Sequence, residues 1–269
     1  MPYSAAEQED FMFHLNYGGL FAAICGNAEN VVADNLVLFF AFLLLSIAAG
    51  YLLGSVNTAI VISKIFFKDD IRKYGSGNAG MTNMLRTFGG KAALGVLLGD
   101  VLKTALSIFI GGLLFGFGYV GGFSMGYNSA YMMFMGVGTY TAGLAAVLGH
   151  IFPVYYGFRG GKGVLVSATM ALILSPILFA IMFAVFVLLV AGSKYVSLGS
   201  VCSAIIYPLL VHGMFGMMNM KTPPIILLIA VMIAVIITVA HKENLKRIGE
   251  RTERKLSFKK KEKEPSDEK

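Results

Sequence analysis

The chain has 269 residues, of which 57% are hydrophobic and only 14% charged, and its 22 Lys and Arg outnumber its 15 Asp and Glu to give a net charge of +7. That is far more apolar surface than a soluble fold of this length can bury, and it comes in long continuous runs, not in the alternating ten-residue strands of a membrane barrel. The reading is an all-α, polytopic integral membrane protein, because helices alone satisfy the backbone of continuous apolar runs in lipid.

Taken in chain order, residues 1–34 carry Glu7, Glu9 and Asp10 where a secretory leader would be basic, and Asn16, Asn27, Glu29 and Asn30 interrupt their apolar stretch. They are expected to form an extracytoplasmic or interfacial arm. Apolar runs at residues 36–62, 92–117, 130–151, 163–175, 176–192, 198–214 and 223–240 then predict seven transmembrane helices. The least marked boundary is Ser175-Pro176, since 163–192 also has the length of one tilted helix kinked at its proline. Charge arbitrates. With seven crossings, every Lys and Arg falls on one side except Lys103, inside a run, and Lys221. The positive-inside rule then sets the N-terminus outside and the C-terminus in the cytoplasm. Residues 35–255 form the seven-span domain, and 256–269 a charged cytoplasmic tail whose lysine-rich 259–263 is solvated beside anionic headgroups. Cys25 and Cys202 are isolated and imply neither a metal site nor a disulfide framework.

The polar residues cluster in the gaps between runs. The first gap reads RKYGSGNAGMTNMLR over residues 72–86. Gly75 and Gly77 free backbone N–H groups, Ser76, Asn78, Thr82 and Asn83 add hydrogen-bonding side chains, and Arg72 and Arg86 flank the set with positive charge, a composition suited to an anion. The string from Gly75 to Gly80 formally fits G-x-G-x-x-G, but a charged segment precedes it where a strand is required, so it is not a dinucleotide fingerprint. In the second gap, Gly160, Gly161 and Gly163 surround Lys162 at the start of an apolar helix, which would offer donors, a helix N-terminus and an ammonium to one anion. Tyr156 stands where a Walker A loop has its first glycine, and Gly163 replaces the magnesium-binding hydroxyl, so no nucleoside triphosphate is implied. The third gap, KYVSLGS, contains Ser197; in the fourth, His241 and Asn244 share a helical face. All four gaps come out on the same side. Asp100 and Lys103 are spaced to pair within the membrane, and His150 and His212 near run ends are read as structural.

The blocks IRKYGSGNAGMTNMLRTFGGKAALGVLLGDVLK, GHIFPVYYGFRGGKGV, KYVSLGS and HKENLKRIGERTERK resemble, in order and spacing, the bacterial acyl-phosphate-dependent glycerol-3-phosphate acyltransferases, the PlsY family. The resemblance runs from about Gly54 to Lys255. It implies a seven-span enzyme of the bacterial cytoplasmic membrane that acylates the 1-position of glycerol 3-phosphate from a long-chain acyl phosphate, giving lysophosphatidate and phosphate. No metal or organic cofactor and no nucleic acid is implied, and membrane lipid is the surrounding partner. By motif, Ser76, Arg86 and Lys162 carry over as the anion-binding and transition-state-stabilising set, with Asn78 and Thr82 in the same loop. Ser197, His241 and Asn244 carry over as residues near the glycerol hydroxyls. No histidine is followed four residues later by Asp, and there is no serine nucleophile elbow, which points to direct transfer. The proton acceptor is left open between the substrate's phosphate, His241 and water. Two departures stand out: Asn57 occupies a position where the family has proline, so the first span is expected to run straighter, and residues 1–34 and 116–139 exceed the compact family length. The alternatives are a transporter for a phosphorylated solute, to which the one-sided motifs and the absence of paired broken helices are ill suited, and a non-catalytic membrane interaction protein, which leaves the cluster from Ser76 to Arg86 unexplained.

Overall fold

The computed structural model describes residues 35–116 and 136–256, with residues 19–21 and 24 of the N-terminal arm. The remainder of that arm, most of 116–139 and the tail from 257 lie outside the described residues, so the expectations made for them stay as expectations. Among the described residues all regular structure is helical.

Helix α1 (Leu36–Ser55) is followed by a break and by α2 (Thr58–Phe66). A short 3₁₀ turn (Ile71–Lys73) leads to α3 (Met81–Phe88), a two-turn helix, and then to α4 (Gly90–Phe115). Next come α5 (Val137–Ile151), a 3₁₀ turn (Val154–Tyr156), α6 (Val164–Leu174), α7 (Pro176–Ser193), α8 (Val196–Met217), α9 (Pro224–Ala240) and α10 (Lys242–Gly249). An apolar helix therefore stands in each of the seven expected runs. Among the described residues, five spans are long and apolar enough to cross a membrane as they stand, α1 and α2 counting as one stretch of 31 residues. The remaining two are α9, which is bent by 56° from α10, and α6, which has 11 residues. At 1.5 Å per residue α6 is about 16 Å long, roughly half the hydrocarbon thickness.

The helix boundary expected at Ser175-Pro176 is present: Pro176 opens α7 at a position where its missing N–H costs nothing. The first span, one stretch from Leu36 to Phe66, is interrupted at Asn57. Val56 is extended at the end of α1, and Asn57, instead of continuing the helix, turns its side chain to cap α2, Oδ1 accepting from the Ile60 amide at 3.1 Å. A short polar side chain that can satisfy an orphan helix N–H ends and restarts the helix as effectively as a proline would.

Helix α5 is the axis of the bundle. In its apolar window 78% of residues are buried, against 11% for the windows of the first span and of α7. Its small residues make this possible: a Cβ on Gly50 or Gly54 of α1 would lie 2.4 Å from the Ala142 carbonyl oxygen or 2.3 Å from that of Ala146, so the two backbones touch directly. Behind α5, a core of Tyr207, Phe215, Met170, Ile226 and Ile229 locks α6, α8 and α9 together. Exposed Leu44, Leu98, Leu102, Leu188 and Leu209 face outward on the long helices, as contact with lipid requires.

Candidate active site

The first polar gap is built around a buried asparagine. Asn83, 2% exposed on α3, accepts the Ser76 amide at Oδ1 (3.1 Å) and donates from Nδ2 to the carbonyls of Tyr74 (2.9 Å) and Asn78 (3.1 Å). It holds the glycine loop in one shape. Gly75 has φ +61°, and a Cβ there would meet Asn83 Oδ1 at 2.2 Å, so this position admits only glycine. The two arginines of the loop have different fates. Arg72 grips the Asp70 carboxylate at 2.7 Å and sends Nη1 to the carbonyls of Tyr156 (2.8 Å) and Arg159 (3.1 Å), stapling the first gap to the second. Arg86, expected beside it as an anion ligand, is exposed and has no hydrogen-bond or ion-pair partner among the described residues.

In the second gap, the Gly160 and Gly161 amides donate to the carbonyls of Ile151 and His150 at 3.0 Å, and the Gly77 amide of the first donates to Tyr74 at 2.9 Å. These three glycines shape their loops and do not line the cavity described below, unlike their expected use as donors to an anion. Gly163, with φ +77°, turns the chain into α6. Lys162 between them points inward and donates to Asn244 Oδ1. Burial lowers its ammonium pKa to about 8, with nearby Arg247 acting in the same direction and Glu253 opposing.

Chain beyond α9 closes the site. His241 donates from Nδ1 to the Ile237 carbonyl at 2.8 Å, because a carbonyl can only accept, which makes Nε2 the acceptor, with no donor to it among the described residues. Burial pushes its pKa down to about 4, so the ring is neutral near pH 7. Past α10 the chain folds back, and Glu253 collects Ser197 Oγ (2.8 Å), Asn244 Nδ2 (2.7 Å) and Arg247 Nε (2.8 Å) on its carboxylate. Burial alone would raise the Glu253 pKa, but the bonds from Asn244, Arg247 and Ser197 outweigh it and hold the group below the usual carboxylate range.

These gaps enclose one cavity of about 770 Å³. Ser76, Arg86, Lys162, His241 and Asn244 all line it, as do Gly75, Asn78, Thr82, Gly163 and Ser197. From this polar mouth it runs down between α4, α6, α7, α8 and α9. Along α8 the lining passes from Ser197 to Tyr207, a descent of about 15 Å at helical rise. Leu172, Phe179, Tyr207 and Ile233 ring the deep end, and the near-parallel rings of Phe179, Phe183 and Phe186 form the α7 wall. Asp100 and His150 reach the cavity from the bundle side. Sequence reasoning did not select Glu253, Arg247, Thr252 or Arg254, which also line it; nothing in a basic tail marks one carboxylate as inward-facing. Asn83 was visible as one of a run of polar side chains, but its role as a hub was not. Among the described residues no group of three or more His, Cys, Asp or Glu is placed to hold a metal ion.

A family model described as glycerol-3-phosphate acyltransferase matches residues 44–251. The chain belongs to that family. Among curated relatives of the same name, it is 36% identical over 218 residues to the protein of Thermoanaerobacter pseudethanolicus, covering 81% of this chain and 98% of that one. It is 38% identical over 228 residues to that of Bacillus cytotoxicus, covering 84% and 100%. Among solved structures it is similar to PlsY, an integral membrane glycerol 3-phosphate acyltransferase. The glycerol 3-phosphate form gives a TM-score of 0.65 at 30% identity, covering 80% of this chain and 96% of that one. The lysophosphatidic acid form gives 0.63, also at 30% identity, covering 80% and 95%. The acyltransferase-family match contains every candidate site residue from Gly75 to Asn244 and stops at residue 251, two residues before Glu253.

Proposed function

We propose that the protein transfers a long-chain acyl group from an acyl phosphate to the 1-position of glycerol 3-phosphate, giving lysophosphatidate and inorganic phosphate, the first membrane step of phospholipid synthesis. The site faces the cytoplasm of a bacterial cell in a seven-span chain with its N-terminus outside and C-terminus inside. One observation carries the reading: a single cavity joins a mouth lined by Arg86, Lys162 and Arg247 to an apolar groove about 15 Å deep. One end suits two small phosphates from water and the other an alkyl chain from the bilayer.

The chemistry follows from that arrangement. Arg86 and Lys162 neutralise the phosphates, and Arg86, with no side-chain partner among the described residues, has its whole guanidinium fork for a bidentate contact. Ser76 supplies a further donor. Ser197, Asn244 and the acceptor Nε2 of His241 hold the glycerol hydroxyls against the acyl carbonyl carbon. Attack by the hydroxyl oxygen forms the new ester bond as the anhydride C–O bond breaks and the electron pair leaves with phosphate, a leaving group that needs no prior acyl-enzyme. The hydroxyl proton needs an acceptor matched to neutral pH. With a pKa of about 4, His241 is a feeble base; a phosphate monoester, with a second ionisation near 6, is the better one. The substrate's own phosphate is therefore the acceptor and His241 the orienting group. No metal or organic cofactor enters the scheme.

The test is turnover of radiolabelled glycerol 3-phosphate by purified protein with acyl phosphate, acyl-CoA or acyl carrier protein as donor. Lysophosphatidate should form from acyl phosphate alone; equal turnover with acyl-CoA would sink the donor assignment.

A further inference from the structure

We infer that Asp100, Lys103 and His150 are positioning residues: one buried polar cluster that fixes the gap between the loop carrying Ser76 and Arg86 and the loop carrying Lys162. A charged pair inside a bundle is expensive and could be replaced by apolar side chains without loss of stability, so its bonds need a use beyond holding the helices together.

Those bonds lead to both loops. The Lys103 ammonium has three N–H groups and meets three acceptors: Asp100 Oδ1 at 2.8 Å, the Val56 carbonyl at 3.0 Å and His150 Nδ1 at 2.9 Å. Asp100 Oδ1 also accepts Thr58 Oγ1 at 3.0 Å. Val56 and Thr58 bracket Asn57 at the break between α1 and α2, so the pair holds that break, and Asn57 Nδ2 in turn donates to the Ala79 carbonyl (3.2 Å) in the first loop. On the other side, the His150 carbonyl takes the Gly161 amide at 3.0 Å. Gly161 also lies on the imidazole itself: a Cβ there would be 2.0 Å from His150 Nε2 and 2.9 Å from the Ala79 carbonyl oxygen. Gly161 of the second loop therefore lies between the His150 Nε2 edge and the Ala79 carbonyl of the first. Lys162 is the next residue, and Ser76 and Asn78 lie just before Ala79. Rotating the ring or releasing Lys103 would move both halves of the anion site relative to each other.

This inference rests on the acyltransferase reading for its assay, and a binding readout separates the two. In the full chain, His150→Asn puts an acceptor oxygen where Nδ1 stands, and His150→Gln puts one nearer Nε2; both are polar amides of similar bulk. We expect His150→Gln to lose about tenfold or more both in kcat/KM for glycerol 3-phosphate and in equilibrium binding of radiolabelled glycerol 3-phosphate, with His150→Asn within a few-fold of wild type. Combined with Lys162→Ala, the gap between the two variants should collapse, because there is then no ammonium to place. Equal binding by the two variants, or a gap that persists undiminished without Lys162, would overturn the positioning role. A wild-type protein that binds glycerol 3-phosphate without turning over acyl phosphate would count against the proposed reaction while the binding comparison still decides this inference.

Discussion

Lys162 makes the pH dependence of the reaction a test of the site. Burial brings its pKa from 10.5 down to about 8, and the form that can hold a phosphate is the charged one. A lysine with a depressed pKa keeps its charge below that value and loses it as pH rises through it. On that pKa the ammonium is ~90% populated at pH 7 and ~10% at pH 9. Below pH 6 the phosphate dianion of the substrate takes up a proton, becomes the monoanion and no longer serves as the base. The expected profile of kcat/KM, which reports free enzyme and free substrate, is thus a bell with an alkaline limb near 8 that falls tenfold per unit beyond it. Lys162→Arg, whose guanidinium does not deprotonate in this range, should retain part of the activity and lose the alkaline limb. Lys162→Ala should lose about 10²-fold, or roughly 2.7 kcal/mol of transition-state stabilisation, and lose the limb too. Initial rates at low glycerol 3-phosphate across pH 5 to 10 give the measurement. An alkaline limb that stays near 8 in Lys162→Arg would show that another group titrates there and refute the argument.

Arg86→Ala, which deletes the guanidinium at the cavity mouth, should lower kcat/KM by about 10²-fold, and Arg86→Lys should remain poor because the fork is lost; near wild-type turnover in folded Arg86→Ala contradicts the clamp. Ala204, 6% exposed, lines the cavity between Ser197 and Tyr207, so Ala204→Phe should block the groove halfway and move the ratio of kcat/KM for short-chain over long-chain acyl phosphates upward by about tenfold. An unchanged chain-length profile means the acyl chain lies elsewhere. For topology, in a background lacking Cys25 and Cys202, Glu250→Cys should react with an impermeant maleimide only after the cytoplasmic face is opened, and Asn219→Cys in intact spheroplasts. Labelling at position 250 from outside reverses the orientation.

The helices were legible because lipid leaves the backbone so few options: each apolar run of sufficient length has a helix, and Pro176 marks the α6–α7 boundary by removing a donor. The break at Asn57 was not, because what ends α1 there includes a carbonyl held by Lys103, 47 residues away in sequence. Within the site, sequence brought the right gaps together but could not sort equivalent residue types. Arg72 and Arg86 flank the same glycines, yet Asp70, two residues before Arg72, captures one of them, and that local signal is present in the string itself. Gly160 and Gly161 look like free donors in any string, and only the return of the chain onto His150 and Ile151 reveals that their amides are engaged. Glu253 depends on a reversal of the chain after α10 that no pattern announces.

That glutamate has a consequence for turnover. In the proposed reaction two anions enter and two others depart in every cycle, so a pocket of unopposed positive charge would clog on its own product. Among Arg247, Arg254, Lys162 and Arg86, Glu253 is a resident competitor, already bonded to the side chains that an arriving glycerol 3-phosphate would recruit. Each ligand must displace some of those contacts to bind, and the carboxylate is waiting to take them back when it leaves. The site is then built for exchange, with retention deliberately weak and speed of release as the gain.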